Sequence, residues 1–335
     1  MLKCAVIGLG GLGKLHLNNL LSLKDDIQLV ALCDVEKNKL KETANTNLGK
    51  QETNANLDSI NFYTDAEEMF QKEEIDLAVI ALPTYLHSKY AIMALEAGAH
   101  VFSEKPMART SEQALQMIET ANRCGKKLMI GQCLRFNDGC RMLKKYVENG
   151  ELGKFVRAHF HRFSLVPVWG WDHWYEDFEK SGCAALDLHV HDVDLINWVF
   201  GLPEYVSSIA THRRTKFESI STRYFYKDGT HITADCDWSF GDSFGFRRGY
   251  FAVFENATLE MKENGEVKIH PIDGPTIDVP LSGANPYLEE MKELISAIKE
   301  DRPVRVLIPG STKQTLDLAL AEIKSAETGA IVHLS

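Results

Sequence analysis

Two rhythms of hydrophobic and polar positions run along the chain, and the change comes near Gly131. Before it, continuous apolar runs recur at Cys4-Ala5-Val6-Ile7, Leu29-Val30-Ala31-Leu32, Leu77-Ala78-Val79-Ile80-Ala81, His100-Val101-Phe102 and Lys127-Leu128-Met129-Ile130. Between them, residues 14–23, 35–44, 65–71, 86–97 and 111–123 space apolar side chains three and four apart. A short run with no polar face predicts a strand buried on both sides, and the helical spacing predicts helices laid against it. Alternating the two requires crossover connections, which predicts a doubly wound parallel sheet. Asn45 to Asn61 is polar, rich in asparagine and aperiodic, and is expected to form an exposed excursion without chemistry.

Beyond Gly131 the runs lengthen, at 155–163, 205–211, 218–226, 230–238, 247–254, 257–262 and 266–270, with turn signals at Asp228-Gly229 and Glu263-Asn264-Gly265. This predicts a large, mostly antiparallel sheet, with helices at 186–200, 286–300 and 311–328. The chain therefore divides into a first domain over 1–131 and a second over 132–335. A sheet with so few helices leaves one face uncovered in a monomer, so association through it is expected.

Composition narrows the partners. A net charge of −10 over 335 residues provides no basic stripe for nucleic acid. No stretch reaches the roughly 18 apolar residues of a membrane span, and no secretory leader pattern opens the chain, so a cytoplasmic location is expected. Seven cysteines, an odd number with no C-x-x-C, read as reduced. Cys4 and Cys33 fall in strands as core residues, and Cys183 is expected to be structural although it sits beside a candidate site.

The first chemical signal is the run Gly8, Leu9, Gly10, Gly11, Leu12, Gly13 between the first strand and a helix. Gly8 permits the tight turn, Gly10 admits a pyrophosphate to the backbone, and Gly13 lets helix and sheet approach, so a dinucleotide is implied. Asp34 ends the second strand, where a carboxylate accepts hydrogen bonds from the adenosine ribose. With Val35 and Glu36 following and no adjacent Arg or Ser, NAD is favoured over NADP.

Lys105, in Glu104-Lys105-Pro106, follows a strand at the edge where such sheets bind ligands, and can stabilise an oxyanion formed during alcohol oxidation. Asp187 and His191 stand four apart at the start of a helix, where carboxylate and imidazole can address one hydroxyl. A metal reading of His189, His191, Asp187, Asp192 and Asp194 competes. His189 and His191 point to different sides of a helix, and hydride transfer with Lys105 needs no metal, so none is expected. Trp169, Trp171, His173 and Trp174 either wall a sugar pocket or simply pack, while Arg135 and Asn137 follow the strand leading out of the first domain as substrate-contact candidates.

Taken in order, the glycine run, Ala81-Leu82-Pro83 with His87, Glu104-Lys105-Pro106, Gln132 to Arg135-Phe136, and Asp187 with His191 resemble the Gfo/Idh/MocA oxidoreductase family across nearly the whole chain. The resemblance implies a Rossmann domain followed by an α+β domain with an open-faced sheet, and dimers or tetramers formed through that sheet. It implies that Lys105, Asp187 and His191 are the catalytic group, and that Leu82, Pro83, His87 and Glu104 approach the ribose and nicotinamide end of the cofactor. Two departures stand out: Gly182-Cys183-Ala184 where many relatives have three glycines, and Trp174-Tyr175 where many have Trp-Arg. The expected activity is NAD-dependent oxidation of a secondary hydroxyl on a cyclic polyol or sugar. An NAD-binding regulatory or sensor protein, and glycoside cleavage with transient use of bound NAD, are the alternatives.

Overall fold

In the computed structural model, which describes residues 1–47, 49–53, 57 and 59–334, the apolar runs of the first rhythm lie side by side. The elements begin β1 Leu2–Ile7, α1 Gly11–Ser22, β2 Ile27–Cys33, β3 Ala44–Thr46, β4 Gly49–Gln51, β5 Asn61–Tyr63, α2 Ala66–Lys72, β6 Leu77–Ile80, α3 His87–Glu96, β7 His100–Glu104, α4 Ser111–Cys124 and β8 Leu128–Gly131. They continue with α5 Asp138–Asn149, β9 Phe155–Phe163, α6 Phe178–Ser181, α7 Val190–Phe200, β10 Tyr205–Thr211, β11 Ser219–Phe225, β12 His231–Asp237, β13 Arg247–Phe254, β14 Ala257–Met261, β15 Val267–Pro271, β16 Ile277–Asp278, α8 Pro286–Lys299, α9 Pro309–Thr328 and β17 Val332–His333.

The chain forms two compact units. Residues 1–132, Trp169–Trp174 and Tyr287–Lys313 make the first, and the remainder makes the second. In the first, the six-stranded sheet runs β5-β2-β1-β6-β7-β8, with all its pairs parallel. This is the strand order of a doubly wound dinucleotide fold, with the order reversing between β1 and β6. Every residue of β6 and β8 is buried, as strands covered on both faces require.

In the second unit a nine-stranded sheet runs β16-β15-β14-β13-β9-β12-β11-β10-β17, and only β9 and β12 pair in parallel. Alternation along β9 buries Ala158, Phe160 and Arg162 on one face and turns His159, His161 and Phe163 to the other. Gly229 and Gly265, at φ +79 and +86, make the two predicted hairpin turns. Among the described residues no helix is long and apolar enough to cross a membrane.

Three expectations need correction. Residues 35–44 form only a 3-10 turn, Lys37–Leu40, followed by the small β3-β4 hairpin. The ammonium of Lys14, from α1, donates to the carbonyl oxygens of Lys39 and Glu42. The Asn45 to Asn61 excursion thus contains β3 in part, β4 and the start of β5, while residues 48, 54–56 and 58 lie outside the described residues. Helix α5 was absent from the expected pattern, although Asn137 caps its start and Gly150, at φ +68, ends it.

Candidate active site

The carboxyl ends of the parallel strands of the first unit gather most of the expected cofactor residues. The glycine run leaves β1, Asp34 follows β2, Leu82 and Pro83 follow β6, and Lys105 follows β7. Gly8 adopts φ +91, where a side chain would strain the backbone and strike the carbonyl of Ala81. A Cβ on Gly13 would collide with the carbonyl of Gly8, so the start of α1 sits directly on the loop. Gly10 has open space where a Cβ would stand and caps α1 in extended conformation. Gly11 faces Thr46 of the β3-β4 hairpin, and Leu9 is fully buried beneath the loop while Leu12 is half-buried.

Asp34 accepts the backbone N–H of Leu9 at 2.7 Å and that of Glu36 at 2.9 Å. The carboxylate is thereby fixed to the glycine loop, oriented before any ligand arrives. A bare helix N-terminus for a pyrophosphate, with an anchored acid at the end of the adjacent strand, fits NAD. Glu36 adds a second carboxylate on the side where the 2′-phosphate of NADP would bring further negative charge.

The loops after β6 and β7 are tied together by His87. Its Nδ1 lies 2.7 Å from the Pro106 carbonyl and its Nε2 2.7 Å from that of Leu82. Burial is the largest influence on its pKa and outweighs both carbonyls, so the imidazole titrates below its usual range. In the neutral ring only one nitrogen donates. His87, expected from the sequence at the cofactor, has its ring turned inward, where it braces the backbone of the two loops. Glu104 is turned in the same way. It is 3 % exposed, with Oε1 2.7 Å from His16 Nε2 and Oε2 accepting the Lys105 N–H at 3.1 Å. The next residue, Lys105, is half-buried and leads into a cis bond to Pro106.

In the second unit, Asp187 and His191 lie on either side of a change in helical winding. Residues Ala184–Leu188 form a π turn, closed by the His189 N–H on the Ala184 carbonyl at 2.9 Å, and α7 follows. Such turns concentrate at functional sites, but the three-and-four pattern has no way to announce one. Asp187 is buried and His191 half-buried. Cys183, just before the π turn, has φ +53 and ψ −156, a conformation that favours glycine, and is fully buried.

The other acids and the second histidine of this motif have structural partners. Asp194 takes Arg135 in a two-pronged pair, at 2.9 Å from Nε and 2.7 Å from Nη2, and the Thr315 hydroxyl at 2.8 Å. Asp192 takes Arg162 of β9 at 3.0 and 2.9 Å. His189 lies 2.9 Å from the Glu322 carboxylate, within ion-pair distance though without a well-aligned hydrogen bond. Arg135, expected to face substrate, is 1 % exposed and serves as a clamp beneath α7. Asn137 is a helix cap, accepting the Cys140 N–H at 3.2 Å.

The aromatic segment belongs with the first unit. Trp169, Trp171 and His173 are exposed and Trp174 is buried. The Trp171 indole donates to Glu36 at 2.8 Å, two residues beyond Asp34. His16 and Glu290 were absent from the expected site. Each is a polar residue on the buried face of its helix, and that mismatch was the available signal.

Two family models match the chain, one described as an oxidoreductase family with an NAD-binding Rossmann fold over residues 2–132, the other as the Gfo/Idh/MocA C-terminal domain over residues 140–260. A D-glucoside 3-dehydrogenase of Escherichia coli is 30% identical over 223 residues, covering 66% of this chain and 59% of the relative. An inositol 2-dehydrogenase of Salmonella paratyphi B is 26% identical over 201 residues, covering 59% and 54%. These matches thus span less than two thirds of either curated relative. The WlbA dehydrogenase of Bordetella pertussis, solved with NADH and UDP-GlcNAcA, shares the fold, with a TM-score of 0.84 at 21% identity over 100% of this chain and 99% of that one.

Proposed function

We propose that this chain, which belongs to the Gfo/Idh/MocA oxidoreductase family, is an NAD-dependent dehydrogenase acting on a secondary hydroxyl of a cyclic polyol or sugar. The observation that carries the reading is the shared edge of the six-stranded sheet, where the glycine loop, Asp34 and Lys105 all leave carboxyl ends of parallel strands. The names of the relatives, a glucoside dehydrogenase and an inositol dehydrogenase, support a ring bearing several hydroxyls as substrate.

The loop from Gly8 to Gly13 and Asp34 would hold the cofactor, with Leu82 and Pro83 beside it; when bound, NAD supplies the hydride acceptor. His191 takes the hydroxyl proton as the carbon–hydrogen bond breaks, Lys105 stabilises the negative oxygen, and Asp187 orients imidazole and substrate. Copies associate through the uncovered face of the large sheet, where the rings of His159, His161, Phe163 and Phe240 follow one another and Phe251 is exposed. Seven cysteines, none of them in a disulfide, suit a reducing cytoplasm.

The test is NADH formation across inositols, aldoses and sugar alcohols, with Lys105→Ala in parallel. That variant should lower kcat by about two orders of magnitude, because it removes an interaction realised mainly in the transition state. Turnover near that of the parent, with NAD still bound, would end the assignment.

A further inference from the structure

Helix α8 has an acid on its buried face that the dehydrogenase reading does not use. Glu290 is fully buried, and neither oxygen of its carboxyl group has a hydrogen-bond partner. It shares a buried cluster with His16 of α1 and Glu104 of β7, the nearest polar atoms of the three lying within 4.8 Å of one another. The rings of Phe102 and Tyr287 close on His16, with centroids 4.9 and 6.1 Å away.

Charge decides what this cluster holds. Two ionised carboxylates against one imidazole leave net negative charge in an apolar setting, which is strongly unfavourable. A proton removes it. Glu104 already accepts from the Lys105 N–H and lies against His16, so the proton belongs on Glu290. Burial first, then the Glu104 charge, raises the Glu290 pKa well above the carboxylate range. A divalent ion fits less well. Ligands about 2.0 Å from a tetrahedral ion stand about 3.3 Å apart. His16 and Glu104 instead approach to 2.7 Å, bonded to each other.

We infer that Glu290 is a neutral carboxylic acid, whose protonation spares Glu104 a second buried negative charge and so keeps Glu104 in place to fix the backbone turn that presents Lys105. Glu290 is then a positioning residue, touching neither substrate nor cofactor. Its effect on turnover rests on the proposed role of Lys105, whereas its protonation state does not.

Infrared spectra of the full-length protein at neutral pH test the protonation directly. The expected result is a protonated-carboxyl carbonyl band that shifts in D2O and disappears in Glu290→Gln. Glu290→Gln, which keeps a neutral donor of the same shape, should retain kcat within about twofold, while Glu290→Leu should lose roughly tenfold or more in kcat through misplacement of Lys105, with the KM for NAD little changed. Absence of the band, loss of activity in Glu290→Gln, or a divalent metal bound one per chain and lost from that variant would overturn the inference. If Lys105→Ala proved fully active while the band persisted, only the functional reading would fail.

Discussion

Replacing Asp192 by alanine leaves the guanidinium of Arg162 buried without its carboxylate. Both side chains are 3 % exposed, and two hydrogen bonds of 3.0 and 2.9 Å join them. At that separation the Coulomb attraction is about 5 kcal/mol for an effective dielectric near 20, much of it offset by desolvation. Removing one partner leaves only the desolvation, so the expected loss is about 3–5 kcal/mol, a large share of the roughly 5–15 kcal/mol that holds a protein folded. Burial pulls the Arg162 pKa down, but Asp192 more than compensates and the guanidinium stays charged. The assay is urea unfolding followed by the fluorescence of Trp238, which is fully buried in the second unit. A double variant, Arg162→Met with Asp192→Leu, should recover most of the loss, because no charge is left stranded. Since His191 adjoins Asp192 on α7, turnover should also fall in the single variant. A loss below about 1 kcal/mol at unchanged m-value, or a double variant as unstable as the single one, would refute the argument.

Cys183→Gly relieves a backbone conformation that typically costs about 1–3 kcal/mol outside glycine, against about 0.5–1 kcal/mol of added chain entropy. Thermal melting should show stability unchanged or raised by about 1 kcal/mol, and a loss above about 2 kcal/mol would contradict the strain. Gly13→Ala drives a methyl group into the Gly8 carbonyl, so calorimetric titration should show NAD affinity reduced at least about tenfold; affinity equal to the parent would contradict the close approach. For His189, burial lowers the pKa but Glu322 wins and holds it above 6.5. A raised value means the pair's stabilisation is complete below the unfolded value near 6.5 and is lost as pH rises through the folded value. Glu322→Gln should flatten that decline in urea stability, and an unchanged slope would show that the pair does not control it.

The parts of the site readable from sequence were those where residue identity encodes a local backbone demand. Gly8 must turn at positive φ and Gly13 must admit a neighbouring carbonyl, so no other residue type serves and the motif announces itself. For Arg135 and Asn137, following a strand says nothing about which partners the side chain takes. Arg135 is held by Asp194, far along the chain, and Asn137 caps the start of α5. In the segment 35–44, which forms only a 3-10 turn, the carbonyls of Lys39 and Glu42 are bonded by Lys14 from another element, a contact the local pattern does not encode. The indole of Trp171 bonds to Glu36, a partner 135 residues away that no local pattern encodes. The alternation of the long strands, by contrast, specified the mostly antiparallel sheet because each side chain's face follows from parity alone.

That sheet is bounded by two-residue strands, β16 at one end and β17 at the other. Beyond the span that β17 covers, the Ser208 N–H on β10 is already held by the Ser325 hydroxyl at 2.9 Å. Few backbone groups are left to template a strand from another molecule, which guards a sheet this wide against end-to-end growth into aggregates. Colloidal stability is thus built into the margins of the sheet, leaving its broad face free to be apolar without the chain becoming a seed for fibrils.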